Sequence, residues 1–254
     1  MSATRYLTLS IDDGYPGDLR TIEMLKKYGL KATFYVPGLN PERPKLPDAQ
    51  VREIAQDPDF EVGGHTYSHT SLHVKSDAVA YEDIVRGKDW LENVIGKKTV
   101  SFCYPQGKFN SRTPGLVEKA GYLGARTCML NLNSYPKTPF LWGASTLGYS
   151  LPPLIQIRHA LIEGNFEGTW NYFKKFRLTQ DWAQHFRIAL DDVEQDGGIA
   201  HLFFHTWEIE ALDQWNLLDG ILKEISTRKS LKRVTNGELF AKFHSEYAKG
   251  SLST

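Results

Sequence analysis

Short apolar runs alternate along the chain with longer segments in which apolar residues recur every three or four positions. The periodic segments predict helices at 18–28, 76–95 and 113–120, each followed by a glycine. The runs predict strands at 6–11, 31–36, 60–64, 99–104, 124–130, 141–146, 199–204 and 231–234. Strands separated by helices are typical of parallel βαβ units, so we expect an α/β fold, a distorted (β/α)7–8 TIM-like barrel.

A long segment before the seventh strand departs from this alternation. Residues 153–195 are mostly helical and predict an insertion that forms part of a substrate cleft. Beyond the strand we expect one helix over 209–225, then a capping box formed by Thr235 and Glu238. No internal repeat or low-complexity linker divides the chain, so residues 1–254 are predicted to form a single domain.

The overall charge argues against several classes of partner. Thirty Lys and Arg residues balance thirty Asp and Glu residues, which predicts neither a nucleic-acid footprint nor a polybasic membrane surface. No apolar stretch has the length of a membrane span, and the first residues lack the apolar core of a secretory signal. We therefore expect a cytoplasmic protein in which Cys103 and Cys128 are reduced core residues.

Polar residues gather where the predicted strands end. Asp12 and Asp13 end the first strand, and polar segments at 65–69, 104–107 and 205–208 follow the third, fourth and seventh. Catalytic groups of a (β/α) barrel lie at these carboxyl ends, so the four segments are expected to share one rim. Adjacent carboxylates repel, and a bound cation separates their roles, although an Asp-Asp-Gly turn is the simpler alternative.

The histidines at these ends suggest metal and acid–base chemistry. His65 and His69 are four residues apart and, with one carboxylate, would form the two-His, one-carboxylate set of an open metal site. His205 ends its strand and is a candidate catalytic group, with a buried core histidine as the alternative. Its candidate partners are Glu208 and Asp181, although Asp181 better fits the N-cap of the helix that follows.

The motifs resemble those of the polysaccharide deacetylases, carbohydrate esterase family 4 (the nodulation-protein-B homology domain). SIDDG at 10–14 is similar to the family's first motif, and HTYSH at 65–69 matches its second. YPQG at 104–107 resembles the third, and LFFH at 202–205 the last. The motifs occur in the family's order and span most of the chain.

The resemblance implies roles for particular residues. Asp13, His65 and His69 would hold a divalent metal, most often Zn²⁺, although the same ligands accept Co²⁺, Ni²⁺ or Mn²⁺. Asp12 would be the general base and His205 the general acid. The backbone N–H of Gln106 would bind the oxyanion, and Tyr104, Pro105 and Trp207 would bind substrate.

Two motifs depart from the family pattern. The arginine that positions the base in the family's third motif is replaced by Cys103. The fourth motif, with an aspartate that orients the acid histidine, has no clear counterpart after the fifth strand, where Asn131 and Asn133 stand. The sequence therefore leaves open what positions Asp12.

These features favour metal-dependent N-deacetylation of an N-acetylated amino sugar or oligosaccharide. The preferred substrate is a cytoplasmic intermediate of surface-polysaccharide synthesis, such as that of O-antigen, carried on a nucleotide or a lipid. One alternative is hydrolysis of another carbon–nitrogen bond, in a formamide or a cyclic ureide. The other is a glycan-binding protein that keeps the metal but does not hydrolyse.

Overall fold

The structure, a computed structural model, describes residues 4–248 of the 254-residue chain. The two ends of the predicted domain, residues 1–3 and 249–254, lie outside the described residues. Within them the strands are β1 (Arg5–Asp12), β2 (Ala32–Val36), β3 (Phe60–Gly64), β4 (Ser101–Cys103), β5 (Gly124–Arg126), β6 (Thr146–Leu147), β7 (Gly198–Phe204) and β8 (Lys232–Arg233). The helices are α1 (Asp18–Tyr28), α2 (Asp48–Gln56), α3 (Asp77–Ile95), α4 (Thr113–Lys119), α5 (Pro153–Ile162), α6 (Phe166–Lys174), α7 (Trp182–Asp196), α8 (Thr206–Ala211), α9 (Trp215–Thr227) and α10 (Asn236–Ala248).

The strands form one parallel sheet that curls toward closure. Its order is β5-β4-β3-β2-β1-β7-β6, with β8 added beside β1. The β5 edge is joined to the segment that precedes β6 by a parallel bridge between Arg126 and Trp142, where the Thr127 N–H donates to the Trp142 carbonyl at 2.7 Å. This sheet confirms the predicted distorted (β/α) barrel.

Strand β1 shows how the sequence separates core from site. Leu7, Leu9 and Ile11 pack under the surrounding helices in the largest apolar cluster. The alternate residues Thr8, Ser10 and Asp12 face the barrel interior, because successive side chains of a strand point to opposite sides. There they meet Asn236, His201 and Arg126 respectively. Strand β1 therefore presents polar side chains to the barrel interior, and Asp12 stands at its carboxyl rim.

Several predicted elements are confirmed with close boundaries. Helix α1 and strand β3 have the predicted bounds, and Gly29 ends α1 in the left-handed conformation (φ 59°). Asp181 is the N-cap of α7, accepting from the backbone N–H groups of residues 183 and 184. In the capping box, the Thr235 N–H donates to Glu238 at 2.8 Å and the Glu238 N–H donates to the Thr235 hydroxyl at 3.2 Å.

Other elements differ from the prediction. The strands expected at 124–130 and 141–146 shorten to β5 and β6, because residues 127–132 leave the ladder and Asn131 is left-handed (φ 66°). The helix expected over 209–225 is split into α8 and α9, with Asp213 left-handed (φ 51°) between them. Helix α2, which the sequence analysis did not list, begins at Asp48 after the N-cap residue Pro47.

Within residues 4–248, no helix combines the length and the apolar character needed to cross a membrane.

Candidate active site

The predicted rim residues surround one cavity of about 430 Å³. The ends of β1, β3 and β7 supply the polar groups on one side of it. Helix α5 of the insertion forms another wall through Gln156, His159 and Ala160, together with its C-cap residue Glu163. The site residues that line the cavity are Asp12, Asp13, His65, His69, Gln106, His205 and Trp207.

Asp13, His65 and His69 converge as a three-residue ligand set. Their ligand atoms lie within 4.8 Å of one another, and all three side chains are buried. The His69 and His65 Nε2 atoms are 3.0 and 3.6 Å from Asp13 Oδ1. Two donors at about 2.0–2.1 Å from a tetrahedral ion lie roughly 3.3 Å apart. The observed separations lie on either side of that value, so the set fits one divalent cation.

Neighbouring groups hold these ligands in the required form. The His65 Nδ1–H donates to the Cys103 carbonyl at 2.8 Å, which leaves Nε2 as the lone-pair donor facing Asp13. The Trp207 indole N–H donates to Asp13 Oδ2 at 2.9 Å and leaves Oδ1 toward the histidines. Burial raises the pKa of Asp13, but the adjacent imidazoles of His65 and His69, which can donate to it in the metal-free protein, outweigh burial and hold the pKa well below its ordinary value. The carboxylate is therefore ionised, as a metal ligand must be.

Backbone strain is concentrated around the same residues. Among residues 4–248, eight non-glycine residues have positive φ, and five of them border the site. They are Asp13, Thr66, His69, Gln106 and Asn131. Such conformations persist only where surrounding contacts enforce them, and they cluster at functional sites. The strain therefore supports a functional rather than a simple turn role for the Asp-Asp-Gly segment.

Arg126 is the residue that positions Asp12. Its guanidinium Nη2 donates to Asp12 Oδ2 and lies 2.9 Å from Cys103 Sγ. Both partners are buried, Arg126 completely. Burial raises the pKa of Asp12, but the charge of Arg126 and the imidazoles of His205 and His65 lower it below its ordinary value. Asp12 is thus an ionised carboxylate whose Oδ1 has no hydrogen-bond partner among the described residues.

The sequence analysis missed Arg126, although a signal for it existed. Cys103 and Arg126 are paired in the β4–β5 ladder, so their side chains emerge side by side at the same height. The arginine missing from the third motif is replaced by one from the neighbouring strand. A charged residue in an otherwise apolar short strand, directly across from the altered motif position, was the available clue.

A second grouping, Asp12, His65 and Cys103, also brings three donor types together. The Arg126 guanidinium contacts both Asp12 and Cys103, and its positive charge would repel a cation there. The Asp13 set is the better metal site.

His205 lies beside Asp12 at the cavity, and Glu208 orients the His205 ring. Glu208 Oε2 accepts from His205 Nδ1 at 2.8 Å, and His205 Nε2 lies 3.9 Å from Asp12 Oδ2. Burial lowers the pKa of His205, but the Glu208 hydrogen bond and the charges of Asp13 and Asp12 outweigh it and raise the pKa to about 9. In the family, an aspartate of the fourth motif orients the acid histidine. This chain has no clear counterpart of that motif, and Glu208 supplies the carboxylate instead.

The remaining predicted site residues are divided between cavity and core. Gln106 lines the cavity in a left-handed turn, and its side-chain oxygen accepts from the Ser71 hydroxyl at 3.1 Å. Tyr104 and Pro105 are buried away from the cavity, and the Tyr104 hydroxyl donates to the Phe140 carbonyl at 3.0 Å. The structure does not bring Tyr104 and Pro105 to the site, and their substrate role stays a prediction.

One of the two cysteines lies in a place other than that expected from the sequence. Cys103 is a buried free cysteine, as predicted, but Cys128 is only half-buried and lines the cavity. His201 is buried in the barrel interior beside Ser10, with Nε2 2.9 Å from the hydroxyl.

Asn131 offers a donor to the cavity that the sequence did not identify. Its Oδ1 accepts from His185 Nε2 at 2.8 Å, and His185 Nδ1 lies 2.7 Å from the Thr146 hydroxyl. Burial lowers the pKa of His185 to about 3, so this ring is neutral and donates through Nε2 alone. The Asn131 amide nitrogen has no hydrogen bond to another described residue and borders the cavity.

Comparison with known proteins agrees with this geometry. Residues 2–125 match the polysaccharide deacetylase family, a range that includes the metal set and ends one residue before Arg126. The putative polysaccharide deacetylase YxkH of Bacillus subtilis is 29% identical over 116 residues, which cover 45% of this chain and 41% of that protein. A peptidoglycan-N-acetylglucosamine deacetylase of Bacillus cereus is 29% identical over 122 residues, 46% of this chain and 54% of that protein. The chain spans about half the length of the curated relatives it matches.

The fold extends the likeness beyond the matched residues. A family 4 acetyl xylan esterase of Clostridium thermocellum, solved with a cobalt ion, superposes with a TM-score of 0.58 at 19% identity. The superposition covers 94% of this chain and 91% of that one. The sequence matches, the motif order and the convergent metal set show that the chain belongs to the polysaccharide deacetylase family, and the superposition shows that it has the fold of a family 4 carbohydrate esterase.

Proposed function

We propose that the protein is a metal-dependent hydrolase that removes the acetyl group from an N-acetylated amino sugar. The observation that carries this proposal is the arrangement around Asp12. An ionised carboxylate, fixed by Arg126 and free at Oδ1, lies between a complete metal-ligand set and the acid histidine His205. This arrangement provides the base, the acid and the cation site that amide hydrolysis needs.

Asp13, His65 and His69 are the residues that would hold the cation. A divalent ion there would polarise the amide carbonyl and lower the pKa of a bound water. Zn²⁺ is the ion we expect, with Co²⁺, Ni²⁺ and Mn²⁺ as alternatives.

The protein side chains would handle the protons. Asp12 Oδ1 accepts the proton of the attacking water, since it is ionised and has no competing donor among the described residues. His205 Nε2 donates a proton to the departing amine, which leaves poorly without one. The Glu208 hydrogen bond keeps His205 protonated before that step. The Gln106 N–H, presented by its left-handed turn, would bind the acyl oxygen as negative charge develops.

The cavity supports a compact substrate. Its volume of about 430 Å³ falls in the range of roughly 300–1,000 Å³ typical of small-molecule pockets, and α5 closes one side. We therefore favour a sugar intermediate of surface-polysaccharide synthesis, such as that of O-antigen, over a long mature polymer. The related protein of Bacillus cereus is named for peptidoglycan, which makes that polymer the main competitor. Cytoplasmic action stays a prediction from the sequence, which cell fractionation would test.

Acetate release from purified protein tests the proposal. The panel contains N-acetylated sugar nucleotides, lipid-linked N-acetyl amino sugars, peptidoglycan, formamides and a cyclic ureide. Each is assayed with metal-depleted protein and after reconstitution with Zn²⁺. We expect metal-dependent acetate release from an N-acetyl amino sugar. Turnover of only the formamides or the ureide would contradict it, as would sugar binding without turnover in the reconstituted protein.

A further inference from the structure

The helical insertion presents its apolar side outward. On α5, Leu154, Leu161 and Ile162 are 79%, 51% and 65% exposed. On α6, Phe166, Trp170 and Phe173 are 71%, 63% and 47% exposed. We call these six residues the insertion patch. A surface helix normally turns its apolar stripe to the core, and contiguous exposed apolar residues mark a binding surface.

The spacing shows that each helix contributes one face. Residues 154, 161 and 162 share a side of α5, and residues 166, 170 and 173 share a side of α6. The other side of α5 carries Gln156 and Ala160, which line the catalytic cavity together with the C-cap residue Glu163. One helix therefore separates the exposed apolar surface from the active site, a distance of about 10 Å.

The charges around the patch are positive and unpaired. Arg158 lies between the patch residues of α5, and Lys174 and Arg177 flank those of α6. None of the three forms an ion pair with a residue in 4–248, and Lys174 Nζ lies 5.0 Å from the Trp170 ring centroid. The two acidic residues of 153–178 face elsewhere, because Glu163 lines the cavity and Glu167 accepts from the Ser134 hydroxyl.

The exposed apolar side chains and the unpaired cations together favour one kind of binding partner for the insertion patch. Apolar and aromatic side chains bordered by cations fit an anionic lipid surface, where the rings enter the headgroup region and the cations meet phosphates. Two copies of the chain joined through this patch would bring three unpaired cations against three others. The net charge of zero conceals this local surplus.

We propose that the insertion patch docks the protein on an anionic membrane surface, so that α5 places the active site over an amino sugar carried on a membrane lipid. The inference rests on the proposed function for its substrate and narrows the choice between nucleotide-linked and lipid-linked sugars. The docking itself stands on the patch alone.

Vesicle sedimentation tests docking without reference to catalysis. The full chain is mixed with vesicles of phosphatidylcholine alone or with about one third phosphatidylglycerol. We expect binding to the anionic vesicles that weakens with salt, and at least tenfold weaker binding for Phe166→Ser/Trp170→Ser. Leu154→Gln is a second, milder patch variant and should also weaken binding. Val74→Ser is the matched control, because Val74 is 75% exposed and lies outside the patch.

Activity on two substrates separates this inference from the proposed function. Phe166→Ser/Trp170→Ser should deacetylate a water-soluble N-acetyl amino sugar as the wild type does, and lose at least tenfold in rate on a lipid-linked one in vesicles. Vesicle binding by a protein that hydrolyses neither substrate would overturn the proposed function but leave docking intact. Hydrolysis of the soluble sugar without vesicle binding would overturn the docking. A wild-type dimer that Phe166→Ser/Trp170→Ser converts to monomer, without vesicle binding, would instead assign the patch to a second copy of the chain.

Discussion

Replacing Arg126 is the most informative perturbation of the site. Arg126 and Asp12 form a buried ion pair, with side chains 0% and 3% exposed. Removing one partner of such a pair leaves an uncompensated buried charge and costs about 3–5 kcal/mol of stability. Arg126→Leu should lower the free energy of unfolding by that amount, measured by urea titration of the metal-loaded protein. Arg126→Leu/Asp12→Asn should recover at least about 2 kcal/mol, because no unpaired charge remains.

The same pair of substitutions tests how Arg126 acts in catalysis. A general base contributes roughly 10²–10⁴-fold to rate, so Asp12→Asn should lose an amount in that range. Arg126→Leu should lower kcat by about 10²-fold through misplacement of Asp12. If Arg126 acts only through Asp12, the double variant should be no slower than Asp12→Asn alone. Multiplication of the two single losses in the double variant would refute this reasoning.

A swap variant provides the matched control. Cys103→Arg/Arg126→Cys returns the arginine to the third-motif position, one strand away at the same register. It should recover part of the activity that Arg126→Leu loses. No recovery in a variant that melts like the wild type would indicate that Arg126 does more than hold Asp12.

Three further predictions concern the acid, the metal loop and the cavity wall. Glu208→Gln removes a hydrogen bond that helps to raise the pKa of His205 to about 9, so the alkaline limb of the pH profile of kcat/KM should move to lower pH. An unmoved limb would contradict the assignment of His205 as the general acid. Gly87→Ala places a Cβ 2.5 Å from the backbone of Thr66, which lies between the metal histidines, and should lower the free energy of unfolding by about 1–3 kcal/mol and weaken metal binding. The control Gly220→Ala places its Cβ where no atom lies within 4 Å and should be neutral or stabilising. Equal melting temperatures for the two variants would exclude this effect. Asn131→Ala should raise KM about tenfold with little change in kcat, and an unchanged KM would remove Asn131 from the substrate site.

The sequence predicted best those features whose cause is local. Helix α1 was predicted within its true bounds, because its apolar periodicity and Gly29 both act within a few residues. The metal set was predicted because its members follow predicted strands, and parallel strands bring their carboxyl ends to one rim. Features that depend on packing between distant segments were predicted less well. Strand β5 is short because residues 127–132 form irregular hydrogen bonds with the segment before β6.

Arg126 shows the same limit within the site. The only local signal is a charged residue in an apolar run, which does not name its partner, and that partner, Asp12, is 114 residues away. Only the register of β4 against β5 places it beside Cys103. Glu208 was within reach of sequence analysis because it lies three residues from His205, on the first turn of α8.

The most direct test of the account measures metal content and acetate release together in Asp12→Asn and Asp13→Asn. The account gives the two neighbouring carboxylates separate duties, since Asp13 faces His65 and His69 while Asp12 is held by Arg126. Asp12→Asn should retain one metal ion per chain and lose acetate release, and Asp13→Asn should lose both. Loss of the metal from Asp12→Asn, or full turnover by that variant, would contradict the central claim.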